Sequence, residues 1–180
     1  LKKNINIDFE NQKYILITCH RRENFGKKLK DICDGLIALS KKYKKFYFIY
    51  PVHLNPNIFN VVKKKLSNYK NIILTNPQNY INFYFLMKYC YFIITDSGGL
   101  QEEAPSLNKP LLIIRNITER TEIINKNGIL VGTDKKNIIE KASLLIDDRV
   151  FYRKMASRKN PYGDGSASNR IIKEIERYLY

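Results

Sequence analysis

The residues best equipped for chemistry fall in a few short segments. Asp96-Ser97-Gly98-Gly99-Leu100-Gln101-Glu102-Glu103 sets a hydroxyl, two glycines and three carboxylates within eight positions. Paired glycines let a backbone approach a ligand closely, and a helix opening at such a turn aims free N–H groups and a positive dipole at phosphate. A carboxylate about one turn further on, Glu102 or Glu103, can accept hydrogen bonds from the vicinal hydroxyls of a ribose. A Ser-Gly-Gly turn by itself is an ordinary strand-to-helix connection. The acids downstream of it tip the segment towards a nucleoside diphosphate. It lacks both the Gly-Lys-Ser/Thr of a Walker loop and the GxGxxG spacing.

Other donors sit in comparable places. His20-Arg21-Arg22 directly follows an apolar run and forms a concentrated set for an anionic ligand, with an exposed basic turn as the equal alternative. Cys19 beside His20 suggests a nucleophile and its base, but neighbouring strand residues point to opposite faces, which argues against that dyad. His53, in Pro51-Val52-His53-Leu54-Asn55-Pro56, is either a ligand contact or a satisfied loop histidine; Asn55 and Pro56 read as N-cap and first helical turn. Arg115 and Arg120 share a loop whose charge suits a diphosphate, or else forms surface ion pairs. Aromatics at helical spacing are more often core, so Tyr84 and Phe85 are assigned to packing; Phe83 stands between packing and a nucleobase. Asn160-Pro161-Tyr162-Gly163-Asp164-Gly165 is dense in turn formers and reads as a connection. With two histidines and no spacing to carboxylates or cysteines, no metal site is expected.

These segments need a frame that brings them together. Short apolar runs alternate with helical stretches: strands at 14–18, 46–52, 71–74, 91–95, 111–114 and 129–131, helices at 29–43, 57–66, 81–89, 100–107, 137–147, 150–156 and 168–180. The β-α-β-α order with non-alternating strands predicts a doubly wound α/β fold, a parallel sheet covered on both faces. Such sheets bind ligands beyond the C-terminal ends of their strands, where the polar segments fall. Residues 1–13 are expected as an N-terminal extension or linker and 166–180 as a C-terminal helix, the whole being one domain.

Composition narrows the function classes. The chain has 180 residues, 44% apolar and 27% charged, enough to bury a core. The longest apolar stretch, 80–95, is broken by Asn82 and Lys88, so no membrane span is expected. Three cysteines in no paired spacing argue against a disulfide framework and for a reduced, cytoplasmic setting. The net charge of +15 invites nucleic acid, but 23 lysines stand against 9 arginines, and Lys, Asn, Ile and Tyr all have A/T-rich codons. The lysine runs at 41–45 and 63–65 lie on or beside amphipathic helices, where a solvated face is the default. A basic nucleic-acid module is thereby the weaker alternative.

Six segments in order, HRRENFG (20–26), PVHLNPN (51–57), TDSGGLQEEAPSL (95–107), TER (118–120), LVGTD (130–134) and NPYGDG (160–165), resemble the non-hydrolysing UDP-N-acetylglucosamine 2-epimerases. The resemblance runs from about Tyr14 to the end. It departs at Asn108, where the family usually has Gly, and at Thr121, where it usually has Pro. Asn tolerates the left-handed conformation a helix C-terminus asks for.

The resemblance implies two Rossmann-like domains facing across a cleft, the GT-B arrangement, with this chain as the C-terminal, UDP-binding half. It implies interconversion of UDP-GlcNAc and UDP-ManNAc by elimination and re-addition of UDP, without cofactor. Carried over, His20 and Arg120 contact the diphosphate, His20 in a catalytic role. Ser97, Gly98 and Gly99 hold phosphate, Glu103 binds the ribose hydroxyls, and Phe83 lies by the uracil. Arg21 and His53 match positions that help bind a second, activating UDP-GlcNAc in some bacterial members. A homodimer is implied for the full-length protein. The family's acid/base carboxylates belong to its N-terminal half, which nothing here matches, so this chain alone is expected to bind UDP without turnover. A GT-B glycosyltransferase donor domain is the closest competing identity.

Overall fold

Tyr14, Ile15, Leu16 and Ile17 are all fully buried, so strand β1 (Lys13–Thr18) has no wet face. A strand apolar on both sides needs cover on both sides, which a parallel sheet between two helix layers supplies. The computed structural model, which describes residues 8–9 and 11–179, has that form. Residues 1–7 and 10 of the expected extension lie outside the described residues, and its last residue, Lys13, already belongs to β1.

Strands β2 (Phe46–Pro51), β3 (Ile72–Thr75), β4 (Ile93–Thr95), β5 (Leu111–Ile113) and β6 (Gly128–Leu130) join β1 in one parallel sheet of order β3-β2-β1-β4-β5-β6. Helices α1 (Lys27–Lys42), α2 (Pro56–Leu66), α3 (Tyr80–Tyr89), α4 (Gly98–Glu103), α5 (Lys135–Asp147), α6 (Arg149–Ala156) and α7 (Ala167–Leu179) complete the chain. The two faces of β1 feed two cores. Ile15 and Ile17 pack with Leu36 of α1, Val62 of α2 and Ile138 of α5, whereas Tyr14 and Leu16 pack with Leu86 of α3 and Leu100 of α4.

Local signals account for the ends of the helices. Asn55 caps α2, its side chain accepting from the Asn57 amide at 2.9 Å, and Pro56 opens the helix. Asp134 and Asp148 cap α5 and α6. Asn108 is left-handed (φ 56°) after the 3-10 turn at Ala104–Leu107, and so carries the conformation for which a glycine would be the usual choice.

One assignment is corrected. Tyr84 and Phe85 are not core: they are 40% and 38% exposed. Helix α3 is apolar on every side, so periodicity could not say which face turns inward; Leu86 and Met87 are the residues it buries. The final helix is where it was expected, Tyr180 lying outside the described residues, and its Ile171, Ile172, Ile175 and Leu179 are exposed. Among the described residues no helix is long and apolar enough to cross a membrane.

Candidate functional site

Strands β1 and β4 lie side by side, with Thr18 paired to Thr95 and their hydroxyls 2.6 Å apart. From there the chain leaves towards α1 on one face and α4 on the other. That divergence opens a crevice at the point where the strand order reverses, the place such sheets use for ligands.

Asp96, fully buried, organises one wall. Its carboxylate accepts from the His20 amide (3.1 and 2.9 Å), the Arg21 amide (2.8 Å) and Asn24 Nδ2 (3.0 Å). The His20-to-Asn24 loop is thus wrapped around one carboxylate, and Asn24 ties it further to the Ile114 carbonyl at 3.3 Å. His20 Nδ1 lies 3.4 Å from Asp96 Oδ1. Cys19 is buried beneath this loop, and burial first, then the neighbouring Asp96, pushes its thiol well above the ordinary range. A buried neutral thiol is no nucleophile, so the rejection of a Cys19–His20 dyad stands.

The Ser-Gly-Gly turn forms the facing wall. The Ser97 amide donates to Thr95 Oγ1 at 2.9 Å, while Gly98 and Gly99 open α4, where amides have no intrahelical acceptor. The two glycines face different neighbours. A Cβ on Gly98 would lie 3.3 Å from Arg120 Cζ and 3.4 Å from Arg21 Nη2; one on Gly99 would lie 3.8 Å from Glu103 Oε1 and 4.0 Å from Ser97 Oγ. Two guanidinium groups therefore lie over Gly98, and a carboxylate and a hydroxyl flank Gly99.

On the Gly99 side opens a cavity of about 320 Å³, lined by His20, His53, Phe83, Ser97, Leu100 and Glu103 among others. The His20 and His53 rings stack at 6.0 Å between centroids, with 22° between their planes. His53 Nδ1 accepts from the Asn55 amide at 3.1 Å, which leaves the proton on Nε2. Five of the nine expected site residues thus share this cavity. Gly98 and Gly99 lie in sequence between two lining residues, Ser97 and Leu100, and Arg21 and Arg120 stand beside Gly98 rather than in the cavity.

The structure also separates pairs that the sequence left level. Glu102 is taken by Arg120, whose Nε donates to Oε1 at 2.8 Å, and Glu103 is the acid that reaches the cavity. Of the two arginines on the β5 loop, Arg115 is buried (7% exposed) between Glu23 (2.9 Å) and Glu119 (2.6 Å), so the ion-pair alternative holds for it. It clamps the β1 loop to the β5 loop. The Glu119 carboxyl sits below its ordinary range, through its own backbone amide first and then Arg115.

Sequence reasoning missed three buried residues: Asp96, Gln101 and Thr118. Gln101 donates to the Ser97 carbonyl (3.1 Å) and accepts from the Thr118 hydroxyl (2.6 Å), which in turn accepts from the Arg120 amide (3.2 Å). This relay fixes the Arg120 loop to the glycine turn. Its signal was a polar residue, Gln101, three places after a glycine at a helix start, where an exposed role is the default. Tyr162 of the NPYGDG turn lies near Glu122, Glu102 and Arg120; burial first, then the two carboxylates, push its phenol up to about 12. Among the described residues there is no cluster of His, Cys, Asp or Glu fit for a metal.

Strand order 3-2-1-4-5-6, two helix layers and a polar crevice at the β1/β4 switch point define a Rossmann-like domain of the GT-B kind. The family model for UDP-N-acetylglucosamine 2-epimerase matches residues 1–176, and the chain belongs to that family. A UDP-N-acetylglucosamine 2-epimerase of Campylobacter jejuni is 51% identical over 164 residues, 91% of this chain and 43% of that protein. The S. aureus MnaA–UDP co-structure superposes with a TM-score of 0.89 at 43% identity, covering 95% of this chain and 47% of that one. The Neisseria meningitidis UDP-GlcNAc 2-epimerase bound to UDP-GlcNAc gives 0.88 at 46% identity, over 93% and 46%. The chain thus spans less than half the length of the relatives it matches.

Proposed function

We propose that this chain is the UDP-binding half of an enzyme interconverting UDP-GlcNAc and UDP-ManNAc by elimination and re-addition of UDP. The observation that carries the proposal is the arrangement around the glycine turn. Arg21 and Arg120 lie on Gly98, Glu103 and Ser97 flank Gly99, and His20 faces them across the cavity. The diphosphate sits on the Gly98–Gly99 amides between the arginines and His20, Glu103 receives the ribose hydroxyls, and Phe83 packs on the uracil. Relatives of this fold hold UDP and UDP-GlcNAc, which supports the choice of ligand.

The chemistry follows from where charge develops. As the C1–O bond breaks, its electron pair passes to the departing diphosphate, and preorganised donors at that oxygen lower the barrier. His20 is the catalytic residue of this chain in this reading, since its ring lines the cavity opposite the glycine turn that receives the diphosphate. The C2 proton also needs a base; the resemblance assigns that role to carboxylates of the half this chain does not match, and here Glu103 is committed to ribose. Turnover therefore belongs to the longer protein, in which we expect a homodimer. His53, stacked on His20, and Arg21 are the candidates for a second UDP-GlcNAc acting as activator. Three free, buried cysteines fit a reducing, cytoplasmic setting.

Calorimetry tests this directly. The 180-residue chain is expected to bind UDP saturably, to ignore a generic oligonucleotide, and to form no UDP-ManNAc from UDP-GlcNAc. Tight oligonucleotide binding with a steep salt dependence, and no heat with UDP, would return the basic nucleic-acid module as the better account.

A further inference from the structure

Arg21 and Arg120 crowd one side of the glycine turn. Arg21 Nη2 and Arg120 Cζ lie 3.4 and 3.3 Å from the single point that a Cβ on Gly98 would occupy, and like charges so close move apart unless something holds them. Each is tied at Nε by its own partner, Arg21 to the Asp96 carbonyl at 3.1 Å and Arg120 to Glu102 Oε1 at 2.8 Å. Their Nη1 ends meet at a third group. Glu119 Oε1 lies 3.7 Å from Arg120 Nη1 and 3.9 Å from Arg21 Nη1, an ion pair with both and a hydrogen bond with neither. Glu119 is itself fixed. Its Oε2 accepts from Arg115 Nη1 at 2.6 Å, and the buried Arg115 is gripped on its other side by Glu23 at 2.9 Å. Among the described residues no acceptor is bonded to the Nη2 group of either Arg21 or Arg120.

Resting on the UDP site proposed above, we infer that Glu119 is the positioning residue for the two arginines of the diphosphate. Its Oε1 is their shared counter-ion, keeps both guanidinium groups together beside Gly98, and leaves both Nη2 groups for phosphate oxygens. Donors held in place in this way lose less freedom when a ligand binds. The carboxylate does not turn the diphosphate away, because its charge is shared among three guanidinium groups, those of Arg21, Arg115 and Arg120. A glutamine could not take over. Its amide would turn an NH2 group either to Arg115 or to the other two arginines, all of them donors with nothing to accept it. Glu102 is not equivalent, since it is bonded to Arg120 alone.

The test has two independent arms. In the first, 15N NMR of the unliganded chain reads rotation about Nε–Cζ in each arginine. Arg21 and Arg120 are expected to rotate slowly beside the exposed Arg22, and Glu119→Gln to speed both. Wild-type Arg21 and Arg120 that rotate as freely as Arg22 overturn the inference, even if the variant fails to fold, and so does a variant in which neither speeds up. In the second arm, calorimetry compares UDP affinity across Glu119→Gln, Arg120→Ala and the double variant. Glu119→Gln is expected to weaken UDP about tenfold with Arg120 present and about threefold or less without it. Equal losses in both backgrounds would mean that Glu119 supports its loop alone, and tighter binding in the variant would mean that it competes with the diphosphate; either result overturns the inference. If the wild-type chain binds no UDP, the functional proposal fails instead, while the NMR arm still decides whether Glu119 holds the two arginines.

Discussion

Gly98→Ala separates binding from folding most sharply. Gly98 is helical at the start of α4 and its φ is not positive, so alanine is allowed there and gains up to about 1 kcal/mol in helix propensity. The added Cβ meets Arg120 Cζ at 3.3 Å and Arg21 Nη2 at 3.4 Å, both at the ends of flexible side chains that can give by a few tenths of an ångström. Net stability should change by no more than about 1 kcal/mol, a shift of roughly 2–4 °C in Tm. Binding has no such latitude. The methyl displaces both guanidinium groups from the turn, and one misaligned charge-assisted bond costs about 1.5–3 kcal/mol, roughly 10- to 150-fold in Kd. Calorimetry with UDP alongside thermal melts reads both quantities. Gly35→Ala is the mirror control. Its Cβ lands 3.3 Å from Ile138 Cγ2 between α1 and α5, so it should lower Tm and leave UDP affinity unchanged. A Gly98→Ala chain that binds UDP like wild type, or that loses many degrees of Tm, refutes the placement of the diphosphate.

Glu103→Gln should weaken UDP about tenfold and erase any preference for UDP over its 2′,3′-dideoxy analogue, whereas Glu102→Gln, which only releases Arg120, should change affinity less than about threefold in the same titration. Thr118→Val leaves Gln101 Oε1 and the Arg120 amide without their partner; a melt should show about 1–3 kcal/mol lost, UDP should bind more weakly, and Thr118→Ser should restore both. Cys33 and Cys90 are pushed up to about 12 by burial, against 9 for a free thiol. The unfolded chain releases those protons first, so stability is full below pH 9 and falls as pH rises from 9 through 12; a Tm that stays flat across that window contradicts this. In the native protein all three thiols, being buried, should also react with a thiol reagent far more slowly than in denaturant.

Much of this was readable in the residues because strand ends in a doubly wound sheet are predetermined ligand positions. Once 14–18 and 91–95 are recognised as neighbouring buried strands, His20 and Ser97 must emerge together. What stayed hidden depends on rotation and depth. Glu102 and Glu103 are adjacent on a helix, so about 100° of turn sends one to Arg120 and the other to the cavity, and no spacing rule distinguishes them. Arg115 and Arg120 look alike in composition, yet Arg115 follows β5 directly and is drawn inward between Glu23 and Glu119. Asp96 read as part of a turn because nothing local announces that donors 72 to 76 residues away will close over it. Helix α3 misled in the other direction, since aromatic content implies burial only when a neighbour exists to cover each face.

A crystal structure of this chain with UDP tests the central claim most directly. The account predicts the diphosphate on the Gly98–Gly99 amides, within hydrogen-bond reach of His20 Nε2 and the Arg120 guanidinium, with the ribose on Glu103 and the uracil against Phe83. UDP bound away from the β1/β4 crevice, or in it with the uracil where the diphosphate should be, would contradict it.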